Sequence, residues 1–93
     1  MKYDPNEMGR LEEYRRKIDD IDHELMRLMG ERFALVTAIK RLKEAERLPI
    51  VDGVRKSEIK ENYLLRAREL GISDSFAQDL FEMIHEESVR IQC

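Results

Sequence analysis

From Leu11 to Leu42 the apolar residues recur in steps of three and four: Leu11, Tyr14, Ile18, Ile21, Leu25 and Leu28, then Leu35, Ile39 and Leu42. That spacing keeps them on one side of an α-helix, and no strand-like alternation interrupts it. No proline follows Pro5 until Pro49, so one helix over residues 6–47 is predicted. The single gap in the apolar series falls at Arg32.

Residues 48–53, which include Pro49 and Gly53, break this helix, and Asp52 is placed to cap a second one over 53–70. The second helix carries Ile59, Tyr63, Ala67 and Leu70 and ends at Gly71. Ser73 or Asp74 caps a third over 74–92, where Phe76, Ala77, Leu80, Phe81, Ile84 and Ile91 keep helical spacing. The expectation is an all-α fold, one domain spanning residues 1–93. At about 1.5 Å per residue the first helix is roughly 60 Å long, well beyond the width of so small a globule. A symmetric pair of chains resolves this: an intertwined helical-bundle homodimer, with the long helices side by side and the short ones closing each end.

Composition agrees with helices: 40% of the residues are charged and 6% aromatic, with no Trp, four Gly and two Pro. Seventeen basic and twenty acidic residues give a formal charge of −3, and the basic residues are spread along the chain. Nucleic acid, which is drawn to a concentrated basic surface, is not an expected partner. No apolar run approaches the roughly 20 residues of a membrane span, and the N-terminus lacks the apolar core of a signal peptide. No membrane partner and a cytoplasmic location are expected. The single cysteine, Cys93, has no second thiol to pair with and no ligand set around it, so no metal is expected. His23 and His85 have no Ser, Cys or carboxylate at triad or metal spacing and read as structural.

Several polar residues sit where apolar ones are expected. Arg32 occupies a seam position, where an unpaired guanidinium is costly to bury and calls for an anion. Lys43 lies 11 residues on and returns to within about 20° of the same face, some 16 Å along the axis, so the two could bracket a small anion. Arg15 precedes Arg32 by 17 residues, about 25 Å, and could reach the same ligand only from an antiparallel partner chain. Each has a plainer reading as well. Arg32 suits a register device or a cross-bundle pair, whereas Arg15 and Lys43, among neighbours such as Arg16, Lys17, Lys40 and Arg41, suit solvated charges. On the third helix Ser88 continues the Ala77, Phe81, Ile84 line, and Gln92 is one turn further on, either an interior amide donor or a fraying end. Asp52 and Arg55 admit both a capping and a binding role.

Taken together, Arg15 after Tyr14, the pair Glu31 and Arg32, Lys43, the turn from Pro49 to Arg55, Ser88 and Gln92 resemble the all-helical chorismate mutase family, from about Leu11 to Gln92. The resemblance implies a Claisen-type rearrangement of chorismate to prephenate, an isomerase step toward Phe and Tyr. It implies a homodimer with two equivalent sites and no cofactor. Arg32 and the partner chain's Arg15 would hold the two carboxylates, with Arg55 in support. Lys43 and Gln92 would donate to the ether oxygen, Asp52 would accept from the ring hydroxyl and Ser88 would contact a carboxylate. Ile39 and Val89 would form the apolar wall. Lys56 departs from the pattern, since a Glu usually follows the Arg of helix two and helps bind the ring hydroxyl. Two other readings share much of this evidence: an isochorismate-pyruvate lyase of the same fold, and a non-catalytic helical dimerisation module.

Overall fold

The computed structural model describes residues 5–93, and its described residues form three α-helices with no strand. These are α1 (Pro5–Glu46), α2 (Gly53–Glu69) and α3 (Asp74–Gln92). The chain divides into two compact units, one ending at Arg32 and the other comprising Phe33–Cys93.

The first unit is the helical run of α1 up to Arg32. Its predicted apolar stripe is uncovered: Leu11, Tyr14, Ile18, Ile21, Leu25 and Leu28 are all exposed. On the charged faces, Arg15 pairs with Glu12 at 3.1 Å, Lys17 with Glu13 at 3.4 Å, and Arg27 with both Glu24 and Glu31. These pairs lie one turn apart in open solvent, where screening leaves each a small contribution to the helix. The Arg27 guanidinium holds the Glu24 carboxyl below its ordinary range, and Glu24 in turn raises Arg27.

In the second unit α2 and α3 pack on each other. The buried apolar residues are Val36, Ala67, Ala77, Phe81 and Ile84, and Ser88 is the buried polar one. Ala67 and Ala77 carry no side chain beyond Cβ, which lets the two helices approach closely. Phe81 is the centre of this small core. Tyr63 meets it edge-on, with ring centroids 5.5 Å apart, and His85 stacks nearly parallel at 5.7 Å. The His85 ring is thus spent on packing.

Helix ends follow local chemistry. Asp52 Oδ1 accepts from the backbone N–H of Val54 and Arg55, and Ser73 Oγ accepts from Phe76 N–H. At the end of α2, Gly71 takes φ 73° and Ile72 N–H returns to the Ala67 carbonyl, a turn that favours glycine. The end of α1 has the same bonding with a costlier residue. Arg47 takes φ 56°, Leu48 N–H donates to the Lys43 carbonyl, and the helix stops one residue before the predicted 47.

Within the second unit, the part of α1 that the chain itself covers is not the apolar series. Val36 is buried and Phe33, Thr37, Lys40 and Lys43 are half-buried, whereas Leu35, Ile39 and Leu42 are 65%, 45% and 53% exposed. Among the described residues no helix is long and apolar enough to cross a membrane.

Candidate active site

The last turn of α1, the linker 47–52 and the end of α3 meet around the ammonium of Lys43. It donates to Gln92 Oε1 at 2.9 Å and to the backbone carbonyl of Ile50 at 2.6 Å. Gln92 donates in turn from Nε2 to the Ser88 carbonyl at 3.3 Å. This chain of bonds fixes which end of the Gln92 amide is which: the oxygen faces Lys43 and the nitrogen faces α3. An ammonium has three donors and a primary amide two. Lys43 therefore keeps one proton, and Gln92 one, for a ligand.

Beside this pair lies a cavity of about 280 Å³ lined by Lys40, Lys43, Glu44, Arg47, Leu48, Ile50 and Gln92. Three cations face one carboxylate there, so the cavity favours an anion. Its size suits a small molecule.

The remaining predicted residues are distributed around it. Ser88 is buried, and its Oγ donates to the Ile84 carbonyl at 2.8 Å, so contact with a carboxylate requires the hydroxyl to turn away from that bond. Asp52 is exposed and spends Oδ1 on capping α2, which leaves Oδ2 outside those two bonds. Arg55 is exposed and lies 3.8 Å from Glu58. Val89 is half-buried on α3, and Ile39 is exposed on α1. None of these five lines the cavity. Arg15 and Arg32 belong to the first unit, Arg15 exposed beside Glu12 and Arg32 half-buried.

Lys56 is half-buried in the first turns of α2, where its backbone N–H donates to the Asp52 carbonyl. A cation at this position opposes the helix dipole, and with no acidic residue in the first turn of α2 the Asp52 cap is the carboxylate that offsets it.

Sequence reasoning did not find the Ile50 carbonyl, because a backbone acceptor has no letter of its own; Pro49 was the nearest signal. It also passed over Lys40 and Arg47 as cavity residues. No group of three or more His, Cys, Asp or Glu side chains among the described residues could hold a metal ion.

A larger groove of about 580 Å³ runs between α2 and α3 at their connected ends, past Tyr63, Leu70, Ile72, Phe76 and Leu80. Its lining is mainly apolar and it contains none of the predicted site residues. Its polar edge is formed by Asn62, Arg66 and Glu69, the last two paired at 2.8 Å. A dianion gains little there, so the smaller cationic cavity is the better candidate.

Comparison with known proteins gives a consistent picture. The family described as chorismate mutase type II matches residues 14–93. A chorismate mutase of Methanocaldococcus jannaschii is 26% identical over 83 residues, covering 89% of this chain and 84% of that protein. The T-protein of Haemophilus influenzae is 31% identical over 81 residues, and a bifunctional chorismate mutase/prephenate dehydratase of Aquifex aeolicus is 35% identical over 82. These matches cover 87% and 88% of this chain but 22% of each of those longer proteins.

Proposed function

The chain belongs to the chorismate mutase type II family, and on that premise we propose that it converts chorismate to prephenate as a cytoplasmic homodimer with two shared active sites. The observation that carries the proposal is the hydrogen-bonded pair of Lys43 and Gln92 beside a cationic cavity.

The reaction is intramolecular: the ether C–O bond breaks while a C–C bond forms, and no atom enters or leaves. It needs no nucleophile and no acid-base pair. What accelerates it is holding a flexible dicarboxylate in its reactive shape and aiming fixed donors at the oxygen that gains negative charge. The remaining protons of Lys43 and Gln92 supply those donors. Arg32, with Arg55 in support, takes one carboxylate, Arg15 of the partner chain takes the other, and Ser88 turns to join them. Asp52 Oδ2 accepts from the ring hydroxyl, and Ile39 and Val89 press on the carbocycle. The chemistry calls on no cofactor.

Two observations support the partner chain. Arg15 and Arg32 lie about 25 Å apart along one helix, too far to hold one small molecule between them. The buried apolar core of the described residues is five side chains, two of them Ala, while apolar residues from Leu11 to Leu42 are exposed at helical spacing. So small a core offsets little of the entropy of ordering the chain, and a second copy covering that stripe supplies the rest.

Incubating the purified protein with chorismate tests the proposal. Loss of the chorismate absorbance with formation of prephenate is expected, and Arg32→Ala should abolish most of it. No prephenate, with Arg32→Ala indistinguishable from the parent in binding a bicyclic transition-state mimic, would overturn it.

A further inference from the structure

We infer that the Ile50 carbonyl, held in place by Pro49, is a positioning group that aims the Lys43 ammonium at the reacting oxygen, so that the α1 to α2 linker is part of the catalytic apparatus. The inference rests on Lys43 being the donor to the ether oxygen.

Lys43 is tied to the linker at both its ends. Its carbonyl accepts from Leu48 N–H at 2.9 Å, and its ammonium donates to the Ile50 carbonyl at 2.6 Å. A lysine side chain has four rotatable bonds, and a donor free to sample them stabilises charge poorly, because it must be ordered as the reaction proceeds. With one proton on Ile50 and a second on Gln92, the direction of the third is set by tetrahedral geometry. Of these two acceptors, only the Ile50 carbonyl is backbone.

The linker in turn is restrained residue by residue. Arg47 is in the left-handed region, Pro49 has a fixed φ, and Asp52 is anchored as the N-cap of α2. Asp52 follows Ile50 by two residues, so one short segment sets the position of the Lys43 donor and of the acceptor proposed for the ring hydroxyl. The strain at Arg47 has a use in this arrangement, since the turn it makes carries the chain back toward the Lys43 side chain.

The test compares the parent chain with two variants. In the first, Val51 is replaced by its α-hydroxy acid, which makes the Ile50 to Val51 linkage an ester, weakens the Ile50 carbonyl as an acceptor and leaves every side chain unchanged. The second is Pro49→Ala. A donor that acts on charge present only in the transition state affects kcat and not KM, so the ester should lower kcat roughly tenfold with KM within about twofold. Its Tm should stay within a few degrees of the parent. Pro49→Ala should shift kcat the same way by a smaller factor. An ester with parental kcat overturns the inference. So does one in which kcat and Tm fall while KM rises, which is the mark of a merely structural linker. A parent chain without mutase activity overturns the functional proposal itself, and this inference with it.

Discussion

In the proposed function the chemistry turns on Lys43, whose side chain joins α1, the linker and α3. Lys43→Ala should lower the rate by about 10²- to 10³-fold, the usual cost of removing one preorganised donor, with little change in helicity by circular dichroism. Lys56 gives a prediction of the opposite sign. The family resemblance implies a carboxylate there, and the dipole of α2 favours one. Lys56→Glu should therefore lower KM for chorismate by roughly tenfold and also raise Tm slightly, since both effects follow from putting negative charge at a helix N-terminus. Steady-state kinetics and a thermal melt on the same preparation read the two together. At this scale the sequence was legible where a polar residue broke an apolar line, as Ser88 and Gln92 do along the covered side of α3. It was silent where the acting group belongs to the backbone, as with the Ile50 carbonyl, or where a side chain already has a local partner, as Ser88 does in Ile84.

At the scale of the elements, the two ends of the linker differ in how they are held. Asp52 caps α2 through Oδ1, a role an Asn can fill and an Ala cannot. Asp52→Ala should lose about 1 kcal/mol of unfolding free energy by urea denaturation, whereas Asp52→Asn should be nearly neutral and still bind chorismate less well. Arg47 closes α1 in a conformation that costs an L-residue with a Cβ, and Arg47→Gly should stabilise the chain by about 1 kcal/mol in the same assay. The surface pairs are lost only in acid. Arg27 depresses Glu24 and Arg90 depresses Glu87, so the stability each adds is present above the ordinary carboxylate range and is lost as pH falls through the lowered value. Solvent reaches both pairs, so Tm should be flat through neutral pH and respond only weakly below it. The end of α2 was readable from Gly71, the residue that its turn prefers. The end of α1, like that of α2, was readable to within a residue, from Pro49, though nothing in an arginine announces its left-handed turn.

For the whole molecule, the apolar stripe is the part of the sequence with the longest reach. Leu11 to Leu42 reads as a helix facing a partner, and the chain's own residues cover a neighbouring line through Val36 and Lys43 instead. One chain therefore accounts for its helices and for the Lys43 and Gln92 pair, while the proposed carboxylate site needs a second copy to supply Arg15. Under the proposed function α1 is a strut common to two sites, contributing Lys43 to one and Arg15 to the other. The most direct measurement of this claim mixes two inactive variants. Arg15→Ala and Arg32→Ala homodimers each lack a residue at both sites, but a mixed dimer places both defects in one site and leaves the other whole. Refolding an equal mixture should restore about a quarter of parental mutase activity, since half the dimers are mixed and each carries one intact site. A mixture no more active than either variant alone would contradict the shared-site account.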